Sequence, residues 1–389
     1  MQIYLDHSAT TPTRPEAIAT MQTILTAEWG NPSSIHQWGE RASIAIEQAR
    51  FQVAALINAN PDAIAFTSGG TEANNQAIMG VAALYSTPQH LIISSVEHSS
   101  ISAPIKFLET RGWSITRLGV DQSGRINPQD LVRAIRPNTV LVSIIYAQSE
   151  VGTIQPIAEL AAICRQHQVY FHTDAVQAGG RIPIDVQKLD IDLLSLSSHK
   201  LYGPQGAGAL YIRPGVELIP LLAGGGQEMG WRSGTQAVPQ IAGFGTAAEL
   251  ASEELALEQI RLIGLRDRLY AHLADCSILI PTGDRVHRLP HHLSFYLNIP
   301  RSYSQETITG KTIVRQLNLA GIGISSGAAC SSGKTTPSPI LLAMGYSSTE
   351  AIGGIRLSLG RSTTEADIDW VAMALKQILD RLMPKLICV

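Results

Sequence analysis

Leu189-Asp190-Ile191-Asp192-Leu193-Leu194-Ser195-Leu196-Ser197-Ser198-His199-Lys200 is the stretch on which the fold turns. Its first part, Leu189 to Ser195, is short, apolar and bounded by Pro/Gly-rich turns, the pattern of a strand in a buried parallel sheet. Outward from it, strand-like runs near residues 91–95, 114–118, 139–145, 169–173 and 208–212 alternate with helical patterns such as Pro156-Ile157-Ala158-Glu159-Leu160-Ala161-Ala162. That alternation predicts an α/β fold with a mostly parallel sheet. Ligands of open α/β sheets collect at the carboxyl ends of the strands, where Lys200 falls. A lysine amine is a poor nucleophile while protonated near its ordinary value of about 10.4, and desolvation beside His199 would free it. Lys200 is therefore a candidate covalent anchor for an aldehyde cofactor. The competing reading is a solvated lysine before a Tyr-Gly-Pro turn.

A second apolar run, Val169-Tyr170-Phe171-His172-Thr173-Asp174-Ala175-Val176-Gln177, ends in a carboxylate. Pyridoxal phosphate enzymes pair a Schiff-base lysine with a residue at the pyridine nitrogen, and an aspartate keeps that nitrogen protonated. Lys200 and Asp174 suit these two roles. Asp174 also suits a helix cap or turn, and His172 with Asp174 suits a metal, although no third ligand stands at helical spacing nearby. A phosphate would find a seat in Ala63-Ile64-Ala65-Phe66-Thr67-Ser68-Gly69-Gly70-Thr71-Glu72-Ala73-Asn74-Asn75, which reads as strand, Gly-Gly turn and helix. Free N–H groups at a helix start attract anions, and paired glycines let the backbone approach. The spacing matches neither a Walker loop nor a dinucleotide fingerprint, so a compact phosphate fits better than a nucleotide.

Together these residues give the chain a resemblance. It resembles the cysteine desulfurases that serve iron-sulfur cluster assembly and nitrogen fixation, a fold-type-I pyridoxal phosphate family within the class-V aminotransferases. The likeness runs nearly end to end, from Tyr4-Leu5-Asp6-His7-Ser8-Ala9-Thr10-Thr11-Pro12 through Gly30-Asn31-Pro32-Ser33-Ser34 and Thr67-Ser68-Gly69-Gly70-Thr71-Glu72 to Ile355-Arg356-Leu357-Ser358-Leu359-Gly360-Arg361. It implies a mostly parallel seven-stranded sheet in a large domain and a smaller α+β domain. It also implies that Lys200 is the Schiff-base lysine, Asp174 the partner of the pyridine nitrogen, His98 an imidazole stacked on the cofactor ring and active in proton transfer, and Gln177 a neighbour of the ring oxygen. For the phosphate it implies Gly70, Thr71, Ser197 and His199 from one chain and Thr235 from a neighbouring subunit, hence a homodimer. Arg356 corresponds to the clamp of the substrate carboxylate, a task suited to a planar bidentate donor.

Cys330 lies in Ser325-Ser326-Gly327-Ala328-Ala329-Cys330-Ser331-Ser332-Gly333-Lys334, a run of small residues with little capacity to pack, which reads as a mobile loop. Only a thiolate is a good nucleophile, and a free cysteine near its ordinary value of about 8.5 is mostly protonated at neutral pH. Its surroundings argue against the alternative, a small buried hydrophobe. Cys164 and Cys276 fit that alternative, and Cys388 reads as exposed. The resemblance implies attack by Cys330 on the sulfur of L-cysteine, a persulfide on Cys330, L-alanine as product, and passage of sulfur to an acceptor or scaffold protein. No metal site is implied beyond transient ligation of a cluster by Cys330. A selenocysteine lyase or cysteine sulfinate desulfinase would need no attacking thiolate, and a weakly active cofactor- or cluster-binding homologue would not turn over.

One position departs from the family. In Ile145-Tyr146-Ala147-Gln148-Ser149-Glu150-Val151-Gly152, the residues before the glutamate are usually two asparagines, the second bonded to the cofactor's ring oxygen. Ser149 is shorter, so its contact to the cofactor, and with it cofactor electronics and substrate preference, stays open. The sequence also stops soon after Leu386-Ile387-Cys388-Val389, whereas cluster-assembly members often carry a longer tail that helps to dock the scaffold.

Bulk properties agree. The chain has 389 residues, 45% of them hydrophobic, enough for a large core and for two domains or one large domain with an appendage. We expect a large cofactor-binding domain over 14–256 and a small domain from 1–13 and 257–389 that carries the cysteine loop. Lys and Arg number 29 against 32 Asp and Glu, a net charge of −3 with no long charge run, so nothing invites nucleic acid or an anionic membrane. No apolar run reaches membrane-spanning length, and Met1-Gln2-Ile3-Tyr4 opens into a strand rather than a signal peptide, so a cytoplasmic protein is expected. Four cysteines without disulfide spacing suit a reducing compartment. A long helix is expected from Val238 to about Asp275, with Leu250, Ala251, Leu255, Leu262 and Leu269 on one apolar face. His292-Leu293-Ser294-Phe295-Tyr296-Leu297 and Ile355–Leu359 read as strands, and Arg301 to Lys311 as a loose polar loop.

Overall fold

The computed structural model describes residues 2–299, 308–327 and 336–384. In chain order the first half gives β1 (Ile3–Tyr4), α1 (Pro15–Ala27), α2 (Gln37–Leu56), β2 (Ile64–Thr67), α3 (Gly70–Ala82), β3 (His90–Ser94), α4 (Ser99–Thr110) and β4 (Ser114–Leu118). There follow α5 (Pro128–Ala134), β5 (Thr139–Ile145), α6 (Ile157–Gln166), β6 (Tyr170–Asp174), β7 (Leu193–Ser197), β8 (Gly208–Ile212) and α7 (Val238–His272). The last part holds β9 (Leu279–Pro281), β10 (His292–Leu297), α8 (Gly310–Leu319), β11 (Ile322–Gly323), β12 (Ser325–Ser326), α9 (Pro339–Ala343), α10 (Ser348–Ile352), β13 (Ile355–Ser358) and α11 (Glu365–Leu382).

The main sheet has seven strands in the order β2-β8-β7-β6-β5-β3-β4 among the described residues, and only β8 runs against its neighbours. The fold is therefore α/β with a mostly parallel sheet, as expected. All five residues of β3, β7 and β8 are buried, because helices cover both faces of such a sheet and leave no polar side. One consequence governs the site: β2, β3, β5, β6 and β7 all end at the same edge. A second, antiparallel sheet in the order β12-β13-β10-β9 carries its own buried cluster, which joins Ile3 and Leu5 to Leu262, Phe295, Leu357 and Leu375.

Three details differ from expectation. β7 starts at Leu193 rather than Leu189, because Asp190 takes a positive φ of 55° and the Asp192 carboxylate is spent on the Phe171 N–H at 2.7 Å and on Arg213. α7 does not present one apolar face: Ile241, Phe244 and Ala248 enter the large core, Leu262, Leu265 and Leu269 the small one, and Leu250, Ala251 and Leu255 between them are only half-buried. The polar stretch expected over Arg301 to Lys311 gives way to α8, since Thr309 and Thr312 form a reciprocal capping box that places Lys311 in the first turn; residues 301–307 lie outside the described residues. Cys164 is buried in α6, and Cys276 is buried too, although in the turn after α7 rather than in a helix.

His172 has a structural task. Its Nδ1 lies 2.8 Å from Ser143 Oγ on β5 and its Nε2 3.0 Å from Ser195 Oγ on β7, so both ring nitrogens tie neighbouring strands together. Among the described residues no group of three or more His, Cys, Asp or Glu is placed to hold a metal. Burial pushes the imidazole down to about 3. Between that value and the unfolded value of about 6.5 the unfolded chain binds a proton that the fold refuses, so stability falls as pH drops below about 6.5, by up to ~1.4 kcal/mol per pH unit for this residue. We expect the urea midpoint to fall more steeply from pH 7.5 to 5.5 in the native protein than in His172→Gln, where the other histidines are unchanged. Equal slopes would remove His172 from this account.

Candidate active site

The carboxyl edge of the main sheet opens into a cavity of ≈ 380 Å³. Most of its wall comes from strand ends. Gly70 and Thr71 follow β2, His98 follows β3, Ser149 follows β5, Asp174 ends β6, Val176 and Gln177 follow it, and Ser197, His199 and Lys200 follow β7. Arg356 enters from β13 of the second sheet, and Ser8 and Ala9 from the N-terminal segment. Of the residues proposed from sequence, Gly70, Thr71, His98, Ser149, Asp174, Gln177, Ser197, His199, Lys200 and Arg356 thus meet in one pocket. Thr235 is exposed and does not line it, and Cys330 lies outside the described residues.

Lys200 sits in a short 3₁₀ turn, Ser198–Lys200, rather than on the strand itself. Its Nζ donates to the carbonyls of Ser8 at 2.6 Å and Ala9 at 2.8 Å, which aims the amine across the pocket mouth. Burial, then the nearby Arg356 charge, push this amine down to about 8, against the pull of Asp174 and Asp6. A neutral, nucleophilic fraction therefore exists near neutral pH. His199 is likewise pushed down to about 4 by burial and by Lys200, so it is a neutral imidazole, with Nδ1 3.1 Å from Thr10 Oγ1.

Asp174 is buried, and burial raises its carboxyl while the Val176 N–H, Asn74, His98 and Lys200 oppose the rise. Asn74 Nδ2 donates to Asp174 Oδ2 at 2.8 Å and to Ser100 Oγ at 2.8 Å, and the Val176 N–H reaches Oδ1 at 3.0 Å. Ser100 Oγ in turn lies 2.8 Å from His98 Nδ1, which also accepts the backbone N–H of Ser100 at 3.2 Å. A nitrogen that accepts a backbone N–H carries no proton of its own, so in neutral His98 the proton sits on Nε2. His98 is also the N-cap of α4, which pins its ring at the pocket edge.

Arg356 is held on two sides. Its Nη2 bonds Asp6 Oδ1 at 2.7 Å and its Nη1 donates to the Ser149 carbonyl at 3.0 Å, while Nε has no partner among the described residues. The same carbonyl accepts from His292 Nε2 at 3.0 Å. Gln148 turns inward instead of toward the pocket, its Oε1 accepting the N–H groups of Glu150 and Val151.

The class-V aminotransferase family model matches residues 3–371. The chain belongs to the class-V aminotransferase family. Among curated relatives, the cysteine desulfurase IscS of Dictyoglomus turgidum is 45% identical over 98% of this chain and 95% of its own length. A solved NifS-like protein is 34% identical with a TM-score of 0.91, covering 98% of this chain and 100% of its own. A structure described as SspA in complex with cysteine is 35% identical with a TM-score of 0.79, covering 92% of this chain and 99% of its own.

Members of this family use pyridoxal phosphate, and the pocket suits it. A buried carboxyl raised by desolvation gains from a cationic ring nitrogen. The start of α3 supplies free N–H groups for a phosphate, and its close approach requires glycine: a Cβ at Gly70 would stand 2.6 Å from Val176 Cγ2. Sequence reasoning missed Asn74, Ser100, Asp6, Ser8 and Ala9. Asn74 was legible, since it lies one helical turn beyond Gly70 on the same face. The carbonyls of Ser8 and Ala9 carry no local signal, because their partner is 192 and 191 residues away.

Proposed function

We propose that this protein is a pyridoxal phosphate-dependent cysteine desulfurase that takes sulfur from L-cysteine for iron-sulfur cluster assembly or other acceptors. The observation that carries the reading is the convergence of Lys200, Asp174 and Arg356 on one pocket in a chain so similar to IscS and NifS-like proteins. When bound, the cofactor supplies an electron-withdrawing ring that stabilises charge on the substrate carbons. Gly70, Thr71, Ser197 and His199 would hold its phosphate, Asp174 would pair with its ring nitrogen, and Gln177 and Ser149 would serve its ring oxygen. Lys200 would anchor it covalently and would move the substrate's Cα proton. His98, with its proton on Nε2, would stack on the ring and serve as a proton donor or acceptor there. Arg356 takes the substrate carboxylate.

Cys330 then receives the sulfur. Its thiolate attacks the substrate sulfur, an S–S bond forms as the C–S bond breaks, and the departing electron pair stays on carbon, where a proton completes the methyl group of L-alanine. The product on the protein is a persulfide, passed on to an acceptor protein. Thr235, exposed and not part of the lining of its own pocket, would serve the phosphate of a second copy, so the working form would be a homodimer. We take 14–256 as the cofactor domain and 1–13 with 257–389 as the small one. No helix among the described residues is long and apolar enough to cross a membrane, and we assign the protein to the cytoplasm.

The test is L-alanine formation from L-cysteine by the cofactor-loaded protein with a thiol reductant; none would sink the reading. Arg356→Lys loses the planar two-pronged donor, and a charged hydrogen bond of about 1.5–3 kcal/mol corresponds to a KM for L-cysteine raised ~10- to 100-fold with cofactor absorbance intact. An unchanged KM would move the carboxylate elsewhere.

A further inference from the structure

Glu150 follows Ser149 in the chain but does not line the pocket, and nothing in the reaction above uses it. Its Oε1 is buried with no hydrogen-bond partner among the described residues, a position that a glutamate rarely occupies without reason. Three neighbours close on it. Gly327 comes nearest: a Cβ there would stand 2.0 Å from Oε1 and 2.6 Å from Cδ, so the carboxyl lies directly against that glycine's backbone. The Ser338 hydroxyl, which caps α9 by accepting the Leu341 N–H at 3.1 Å, approaches the carboxyl as well and pulls its pKa down. Arg356 faces it from β13 with an attractive charge. Burial outweighs both and lifts the carboxyl to about 7.

These neighbours share one property. Gly327 stands before Cys330 in the chain and Ser338 after it, while Arg356 is the proposed seat of the substrate carboxylate. Gly327 is tied in turn to the Gly354 carbonyl at 3.2 Å, and Ser338 to the Ala351 carbonyl at 3.2 Å, so both flanks are anchored beside β13. The carboxyl of Glu150 lies against one flank, is approached by the other, and feels the charge of the arginine.

We propose that Glu150 is a positioning residue for sulfur transfer, its carboxyl bracing Gly327 and Ser338, the flanks of Cys330 in the chain, against Arg356. This rests on the desulfurase reading above. It acts through its neighbours and touches neither substrate nor cofactor. It also explains why residue 327 is glycine, since any side chain there displaces the carboxyl.

The test uses cofactor-loaded native protein, Glu150→Gln, Glu150→Ala, Gly327→Ala and the double variant Glu150→Ala/Gly327→Ala. Each is assayed for cofactor absorbance, KM for L-cysteine, and the single-turnover rate of persulfide formation. Expected are unchanged absorbance, KM within about twofold, and persulfide formation slowed ~10- to 100-fold in Glu150→Ala and in Gly327→Ala, the range that a displacement of about 1 Å brings. The double variant should be no slower than Glu150→Ala alone, because the added methyl then has nothing to displace. Glu150→Gln keeps the volume and guards against a folding defect in the alanine variant; it should fall between the two. Single variants at the native rate, or losses that multiply in the double variant, would overturn the proposal for Glu150 while leaving the desulfurase reading intact. No persulfide in the native protein would overturn the desulfurase reading instead.

Discussion

Lys200→Ala loses the visible absorbance of the lysine-bound cofactor, and its L-alanine formation from L-cysteine falls by ~10⁴-fold, the upper range for removing a positioned proton-transfer group. The expectation follows from where the amine sits. Ser8 and Ala9 carbonyls hold Nζ at 2.6 and 2.8 Å, and burial with Arg356 nearby brings its pKa down to about 8. The sign is definite: the neutral amine that can bind the aldehyde becomes more abundant as pH rises through about 8. Cofactor loading of the native apoprotein should therefore quicken from pH 6.5 to 8.5 and then level off. Lys200→Arg keeps the charge yet cannot deprotonate, and it should load no better than the alanine variant. Visible absorbance in either variant, at native intensity, would transfer the anchor to another amine.

Cys330→Ser separates two tasks that Lys200→Ala abolishes together. Its cofactor absorbance stays, because every described residue that lines the pocket is unchanged. Persulfide formation stops, since a serine hydroxyl is far too weakly ionised at neutral pH to attack sulfur, whereas a thiol near about 8.5 always offers some thiolate. Alanine formation from L-cysteine falls with it, by three orders of magnitude or roughly so on the scale of a lost nucleophile. Native sulfide release by this variant would favour a selenocysteine lyase or cysteine sulfinate desulfinase, which needs no attacking thiol. Loss of absorbance in Cys330→Ser would mean that the two residues do not divide the work.

Much of this was legible in the sequence, for physical reasons that differ by element. The runs at 139–145 and 208–212 coincide with β5 and β8 because central strands covered on both faces are almost wholly apolar, whereas 114–118 coincides with β4, a half-buried edge strand that keeps only partial apolar character. Asp174 and Lys200 stood out because polar residues at the ends of such strands have few other uses. The start of β7 was misplaced because Asp190 and Asp192 satisfy their charges through Arg165 and Arg213, contacts that no local pattern reveals. α8 was hidden because its capping box is threonine on threonine, without the usual acidic partner. The relay from Asp174 through Asn74 and Ser100 to His98 crosses three strand ends, and its members are ordinary polar residues in sequence. The departure at Gln148-Ser149 carries a contact that the sequence did not suggest: the Ser149 backbone carbonyl accepts from Arg356 and lies 3.0 Å from His292 Nε2, whatever its side chain does.

The most direct test of the desulfurase account is mass spectrometry of the cofactor-loaded protein after brief exposure to L-cysteine without reductant. The account predicts one added sulfur atom on the peptide that contains Cys330, removed by a thiol reductant and absent from the peptides of Cys164 and Cys276. Alanine formed with no added sulfur at Cys330 would contradict it.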